Sequence, residues 1–206
     1  MTTDYHQFAA TQTNNMKAPI TTDSGSIATP YDYGAGEVTT SGPLQPGLVY
    51  ETSTTDYLNY LCYLGLDING IKAIAKTIPN DFACPKDSNS DYVSNINYPS
   101  IAISKFDGTA SKNISRTVTN VGGDGKTVYA VSVDAPSGIV VKVIPDQLTF
   151  TKNNEKLSYQ VIFSSSTATS LKEDVYGSIT WNNGKFKVRS PFLVSSKSGD
   201  DDDHVF

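Results

Sequence analysis

From Ile96 onward the chain alternates apolar and polar residues in short runs broken by turn residues. Ile114, Arg116 and Val118 alternate with Ser115, Thr117 and Thr119, and Leu157, Tyr159, Val161 and Phe163 fall on one side of Lys156–Ser164. A period of two puts such sets on opposite faces of a strand. The same pattern predicts strands over Ser100–Ile103, Thr127–Ala135, Ile139–Ile144, Gln147–Thr151, Val175–Trp181 and Phe186–Val194. Asn183-Gly184 joins the last two and predicts a tight hairpin with both turn residues at positive φ. Short strands at this spacing, with no crossover helix between them, predict a β-sandwich and exclude a parallel α/β sheet.

Ahead of the strands the period changes. Thr54 or Thr55 is positioned to cap a helix, with Asp56 in its first turn, where the helix dipole favours a negative charge. Tyr57, Leu58, Leu61, Cys62 and Leu64 form its stripe, which stops at Gly65. A second short helix, capped by Asn69, carries Ile71, Ile74, Ala75 and Ile78 and ends at Pro79. Residues 80–95 read as a polar loop. Residues 1–52 have little periodicity and many Pro and Gly breakers, so they read as a strip of a larger core, with Tyr5, Tyr31, Tyr33 and Tyr50 left exposed. These patterns divide the chain into 1–52, a helical connector over 53–94, a sandwich over 95–197 and an acidic, disordered tail over 198–206.

Composition narrows the function classes. The 206 residues are 38% hydrophobic and 18% charged, with twelve Tyr and eight Phe, the profile of a folded β-rich protein. The formal net charge is −5, part of it in Asp200–Asp203, so no nucleic-acid partner is expected. No window reaches the roughly 20 apolar residues of a membrane helix, and no membrane partner is expected. The start of the chain has neither a basic region nor an apolar core, so no signal peptide is expected; Met1 is then either a true start or an internal methionine. Two cysteines, Cys62 and Cys84, stand with 21 residues between them. They are read either as a disulfide, which implies an oxidising compartment, or as two separate buried thiols.

Candidate chemistry is sparse. His6 lies in a breaker-rich segment that fixes no serine or carboxylate beside it, so no catalytic residue is expected, and His204, after four Asp, reads as part of a solvated tail rather than as a weak metal site. Gly34-Ala35-Gly36 and Gly122-Gly123-Asp124-Gly125 precede no helix and read as turns, not phosphate loops. Asp87-Ser88-Asn89-Ser90-Asp91 offers oxygen donors without the glycine and distal glutamate of a calcium loop, so neither a metal nor a cofactor is expected. Asn113-Ile114-Ser115 is the one Asn-x-Ser/Thr sequon, read as a glycosylation site in a secreted protein or as a plain strand start otherwise. Trp181 reads as core.

Several stretches together are specific: Met1-Thr2-Thr3, Pro30-Tyr31-Asp32-Tyr33-Gly34-Ala35-Gly36, Pro46-Gly47-Leu48-Val49-Tyr50, Asp56 to Cys62, Asn97-Tyr98-Pro99-Ser100 and Arg116 to Gly122. Tyr129, Ala135-Pro136, Pro145, Leu148-Thr149-Phe150, Gly177 to Trp181 and Arg189-Ser190-Pro191 continue the series. In this order they resemble the C-terminal part of plant subtilisin-like serine proteases (the subtilase or peptidase S8 family). Glu37 and Glu51 depart from the family's His and Asp at those places.

The resemblance implies a mainly β chain: a fibronectin type III-like sandwich, preceded by a helical connector and a remnant of an α/β subtilisin catalytic domain. It implies a Cys62–Cys84 disulfide and a secreted parent, extracellular in the apoplast, that hydrolyses peptide bonds. The family's Asp, His and Ser triad and its Gly-Thr-Ser-Met nucleophile motif are not in these residues, so the chain alone is expected to be inactive. The expected partner is the parent's own catalytic domain, which the sandwich stabilises, with peptide substrates reached only through that domain. The alternative is a free-standing sandwich that binds other proteins.

Overall fold

The structure, a computed structural model, describes residues 10–11, 19–34, 37–38, 46–166, 171 and 173–196. The predicted tail and the first nine residues lie outside them. Strands β1 (Ala10–Thr11) and β2 (Glu37–Val38) pair with each other, and a four-residue helix α1 (Pro30–Tyr33) lies between them in the chain. Then come β3 (Leu48–Val49), helices α2 (Thr54–Tyr63) and α3 (Ile68–Ile74), and a 3-10 segment over Ser90–Asn95. The remaining strands are β4 (Ile101–Ile103), β5 (Lys112–Asn120), β6 (Thr127–Asp134), β7 (Ile139–Ile144), β8 (Gln147–Phe150), β9 (Lys156–Ser165), β10 (Val175–Asn182) and β11 (Lys187–Val194).

They form two sheets, β4-β11-β10-β6-β8 and β3-β5-β9-β7. Every pairing is antiparallel except β4 with β11. The inward set predicted for β9 is the set found: Tyr159, Val161 and Phe163 are buried between the sheets with Trp181, Val188 and Phe192. Rings meet edge to face there, Tyr159 with Trp181 at 5.1 Å and Phe163 with Phe192 at 5.2 Å between centroids, the arrangement aromatic quadrupoles favour. The mainly β sandwich therefore stands as predicted.

Four expectations need correcting. Tyr50 is fully buried, with Leu48, in the sandwich core, and β3 pairs with Asn120 and Thr119 of β5. Residues 48–50 thus belong to the sandwich, not to an exposed strip. Ser53, rather than Thr54 or Thr55, caps α2: its Oγ accepts from the Asp56 N–H at 3.2 Å and its own N–H donates to Asp56 Oδ2 at 2.7 Å. Asp67, rather than Asn69, caps α3 by accepting from the Gly70 N–H at 2.8 Å, and α3 ends at Ile74 without reaching Ile78. The polar stretch 80–95 contains a 3-10 segment that Asn89 caps.

The β10–β11 connection also differs. Asn182 pairs with Lys187, so Asn183–Phe186 form a four-residue loop in which Gly184, at φ 85°, takes positive φ and Asn183 does not. Asn183 Oδ1 accepts from the N–H groups of Lys185 and Phe186, at 3.0 and 2.6 Å, and this side-chain turn replaces the two-residue turn.

Gly177 shows how tightly β10 is held between β6 and β11. A Cβ placed on it would lie 2.2 Å from Phe192 Cζ and 2.4 Å from the Asp134 carbonyl oxygen. Gly177→Ala is therefore expected to cost about 1–3 kcal/mol through overpacking, read as a lower urea midpoint. An unchanged midpoint would contradict this packing.

Candidate functional site

The described residues present no constellation of reactive groups. What they present is a buried polar seam joining three parts of the chain, and next to it an open apolar groove. Arg116 lies at the inward side of β5 and is 2% exposed. Its Nε donates to the Tyr98 carbonyl at 2.8 Å, Nη1 to the Ser115 carbonyl at 2.9 Å, and Nη2 to those of Ser94 and Ser100 at 3.0 and 3.2 Å. Burial pulls Arg116 below its ordinary value, and the Tyr159 and Tyr50 hydroxyls oppose that shift. The fork of fixed donors matches carbonyls splayed around it, which a lysine ammonium cannot reproduce.

Asn97 continues the seam. Its Nδ2 donates to the carbonyls of Thr117 and Glu51, at 2.9 and 3.0 Å, and its Oδ1 accepts from the Thr117 N–H at 2.8 Å. One side chain thus takes the place of a strand neighbour along β5 and holds the residue after Tyr50. Glu51 in turn pairs with Lys156 and accepts from Thr119 Oγ1 at 3.0 Å. The Lys156 hydrogen bond is the main cause of its carboxyl lying below the usual carboxylate range. Asn120 ends the strand by donating to the carbonyls of Gly123 and Lys152, at 3.3 and 3.0 Å, and accepting from the Gly122 N–H at 3.1 Å. The Arg116 to Gly122 stretch is thereby an architectural motif.

Beneath it, the Tyr50 hydroxyl meets those of Tyr159 at 2.5 Å and Ser190 at 3.0 Å. Burial raises Tyr159 well above its usual value, and the neighbouring Tyr50 hydroxyl adds to that shift. Burial likewise pushes Tyr129 up to about 12. Ser190 is buried within this chain of hydroxyls, and no histidine is among the described residues.

In the connector, Cys62 and Cys84 are bonded to each other, with Cα atoms 5.6 Å apart. The bond closes a small cluster of Leu58, Cys62 and Ile71 that is separate from the sandwich core. Such a loop contributes on the order of 3 kcal/mol in the chain-entropy model.

Ahead of the connector, Tyr31 of α1 reaches the five-stranded sheet. Its hydroxyl donates to Asp174 Oδ2 at 2.5 Å and its ring stands edge-on to Tyr176 at 6.0 Å. Much of this segment still faces outward, with Ile27 72% and Tyr31 66% exposed. Between α1 and the outer side of β4 and β11 an apolar groove of about 330 Å³ opens, lined by Pro30, Tyr98, Pro99, Ala102, Pro191 and Leu193 among others.

The other residues singled out in the sequence are scattered. Trp181 is fully buried in the core. Asn113 lies exposed on β5, on a cleft that connector residues Asp91 and Ser94 also line. Asp91 pairs with Lys112 at 2.5 Å, and among the described residues no three His, Cys, Asp or Glu groups are placed to hold a metal. No described helix is long and apolar enough to cross a membrane. His6 and His204 lie outside the described residues. Sequence reading missed Ser94, Tyr50 and Asn97 as partners of the seam. The available signal was a charged residue, Arg116, at an inward-facing position of an otherwise apolar set.

Comparison with known proteins fits this geometry. A fibronectin type-III domain family profile matches residues 95–194. The chain is 58% identical over 189 residues to the CO(2)-response secreted protease of Arabidopsis thaliana, covering 92% of this chain and 24% of that protein. It is 57% identical over 196 residues to the subtilisin-like protease SBT5.1 of the same plant, covering 93% and 25%. To the subtilisin-like serine-protease S of Lotus japonicus it is 40% identical over 184 residues, covering 89% and 23%. The chain therefore spans about a quarter of the length of the curated relatives it matches.

Replacing Arg116 tests the seam. Arg116→Met leaves buried carbonyls without donors and is expected to cost on the order of 3 kcal/mol, read from urea unfolding. Arg116→Lys should recover only part of the loss. Wild-type midpoints for both would show that the seam contributes nothing.

Proposed function

We propose that this chain, whose relatives are plant subtilisin-like proteases, serves as the C-terminal supporting part of a secreted subtilisin-like serine endopeptidase. In this reading the parent hydrolyses peptide bonds with a triad supplied by a catalytic domain, and the sandwich stabilises that domain by covering part of its apolar surface. The observation that carries the reading is the half-covered segment 19–34. It is anchored to the sandwich through Tyr31 and Asp174, contributes Pro30 and Gly34 to the apolar groove, and keeps Ile27 and Tyr31 exposed. An apolar patch of this kind on a folded surface marks a contact. The continuation of residues 1–45 into the α/β fold of a catalytic domain belongs to the same proposal, as does an extracellular location in the apoplast.

Two measurements test it. The isolated chain, mixed with fluorogenic peptides, is expected to give background rates; turnover blocked by a serine-protease inhibitor would overturn the assignment of roles. For the supporting role, Leu193→Asp charges the groove. It should lower the temperature at which a full-length protease carrying this segment loses activity by more than it lowers the melting temperature of the isolated chain. Equal shifts in the two would contradict docking at the groove.

A further inference from the structure

We propose that Asn113 is an N-glycan acceptor, so that this sandwich carries an oligosaccharide on the outer side of β5. The proposal rests on the secreted reading above. Asn113-Ile114-Ser115 is the one Asn-x-Ser/Thr sequence in the chain, and its middle residue is not proline. Strand alternation sorts its residues in a useful way. Ile114 is buried at 2%, whereas Asn113 and Ser115 both face solvent on the same side of the sheet. The two groups that the transfer requires therefore stand together outside the core.

Nearby asparagines are committed to the fold and Asn113 is not. Asn95 Oδ1 accepts from the Ser115 N–H at 3.0 Å, Asn97 donates to the Thr117 carbonyl of β5, and Asn120 bonds the turn that follows the strand and the Lys152 carbonyl. Among the described residues the Asn113 carboxamide takes part in no hydrogen bond, while its backbone is secured in the ladder opposite Ile162. Asn113 also stands at the rim of an open cleft of about 430 Å³, next to Lys105 and Lys112, so a first sugar meets no packed wall. A bulky, solubilising group can be attached here without disturbing a core contact.

The chemistry is a group transfer from a lipid-diphosphate-linked oligosaccharide. A bond forms between Asn113 Nδ2 and the anomeric carbon of the first sugar, the bond from that carbon to the lipid diphosphate breaks, and the amide nitrogen gives up one proton. No oxidant or metal-bound substrate enters the balance.

The test expresses the full chain behind a host leader peptide in a secreting eukaryotic cell. The leader forces entry into the secretory route, so the result does not depend on where the native protein resides. The wild type is expected to shift to faster migration on peptide-N-glycosidase treatment, with Asn113 converted to Asp in the recovered peptide. Asn113→Gln and Ser115→Ala should migrate like the treated protein from the start, and Ser115→Thr should keep the slower form. Secreted wild type with unmodified Asn113 would overturn this proposal while leaving the secreted reading intact. Detection of the native protein solely inside cells would overturn the secreted reading instead. Should the cells retain the chain, translation with added microsomes reads acceptor use on the nascent polypeptide, and an unmodified product there counts equally against the site.

Discussion

A guanidinium closed off from water organises this molecule. Arg116 sits on the inward side of a strand, and its donors are satisfied by carbonyls at 94, 98, 100 and 115. An unpaired buried cation would be costly, so the segment that brings those carbonyls must lie against β5 whenever the sandwich is closed. Asn97 sits within that segment and binds both β5 and the backbone of Glu51. Glu51 follows Tyr50, whose ring fills the core and whose hydroxyl meets Tyr159 and Ser190. One electrostatic requirement thus ties the end of the connector, the residues before it and the sandwich into a single closed unit.

This linkage gives the connector its form. Its two helices bury few side chains of their own, around Leu58 and Ile71, which is little for independent stability. The Cys62–Cys84 bond and the 3-10 segment beside β5 supply the remaining constraint, with Asp91 held by Lys112. The sandwich is rigid through its aromatic core, while the apolar groove along β4 and β11 and the exposed Ile27 are presented on that rigid frame.

The sandwich was legible in the sequence because an alternating pattern survives wherever one face of a strand is buried. All eight strands from Ile101 onward were predicted within one or two residues of where they lie. Strand β3 was hidden, since two residues after Pro46-Gly47 are too few to show a period, and so Tyr50 was assigned to the wrong environment. The helix starts slipped because Ser53, Thr54 and Thr55 all carry capping hydroxyls, and only the reciprocal bond to Asp56 selects Ser53. Asn183-Gly184 misled because an asparagine side chain can close a turn without positive φ. The polar seam was legible only as an anomaly, an arginine among inward-facing apolar residues; its partners are backbone carbonyls, which leave no trace in a sequence.

The sandwich is incomplete without the residues that precede the connector, although the family profile begins at residue 95. The direct test compares urea unfolding, followed by Trp181 fluorescence, of a chain beginning at residue 46 with one beginning at residue 95. The longer chain should unfold in one cooperative transition. The shorter one, without Leu48 and Tyr50 in the core and without the Asn97 contact to Glu51, should show a broad or absent transition and bind a hydrophobic dye. Equal midpoints and equal cooperativity in the two would show that residues 46–94 are not part of the folded unit.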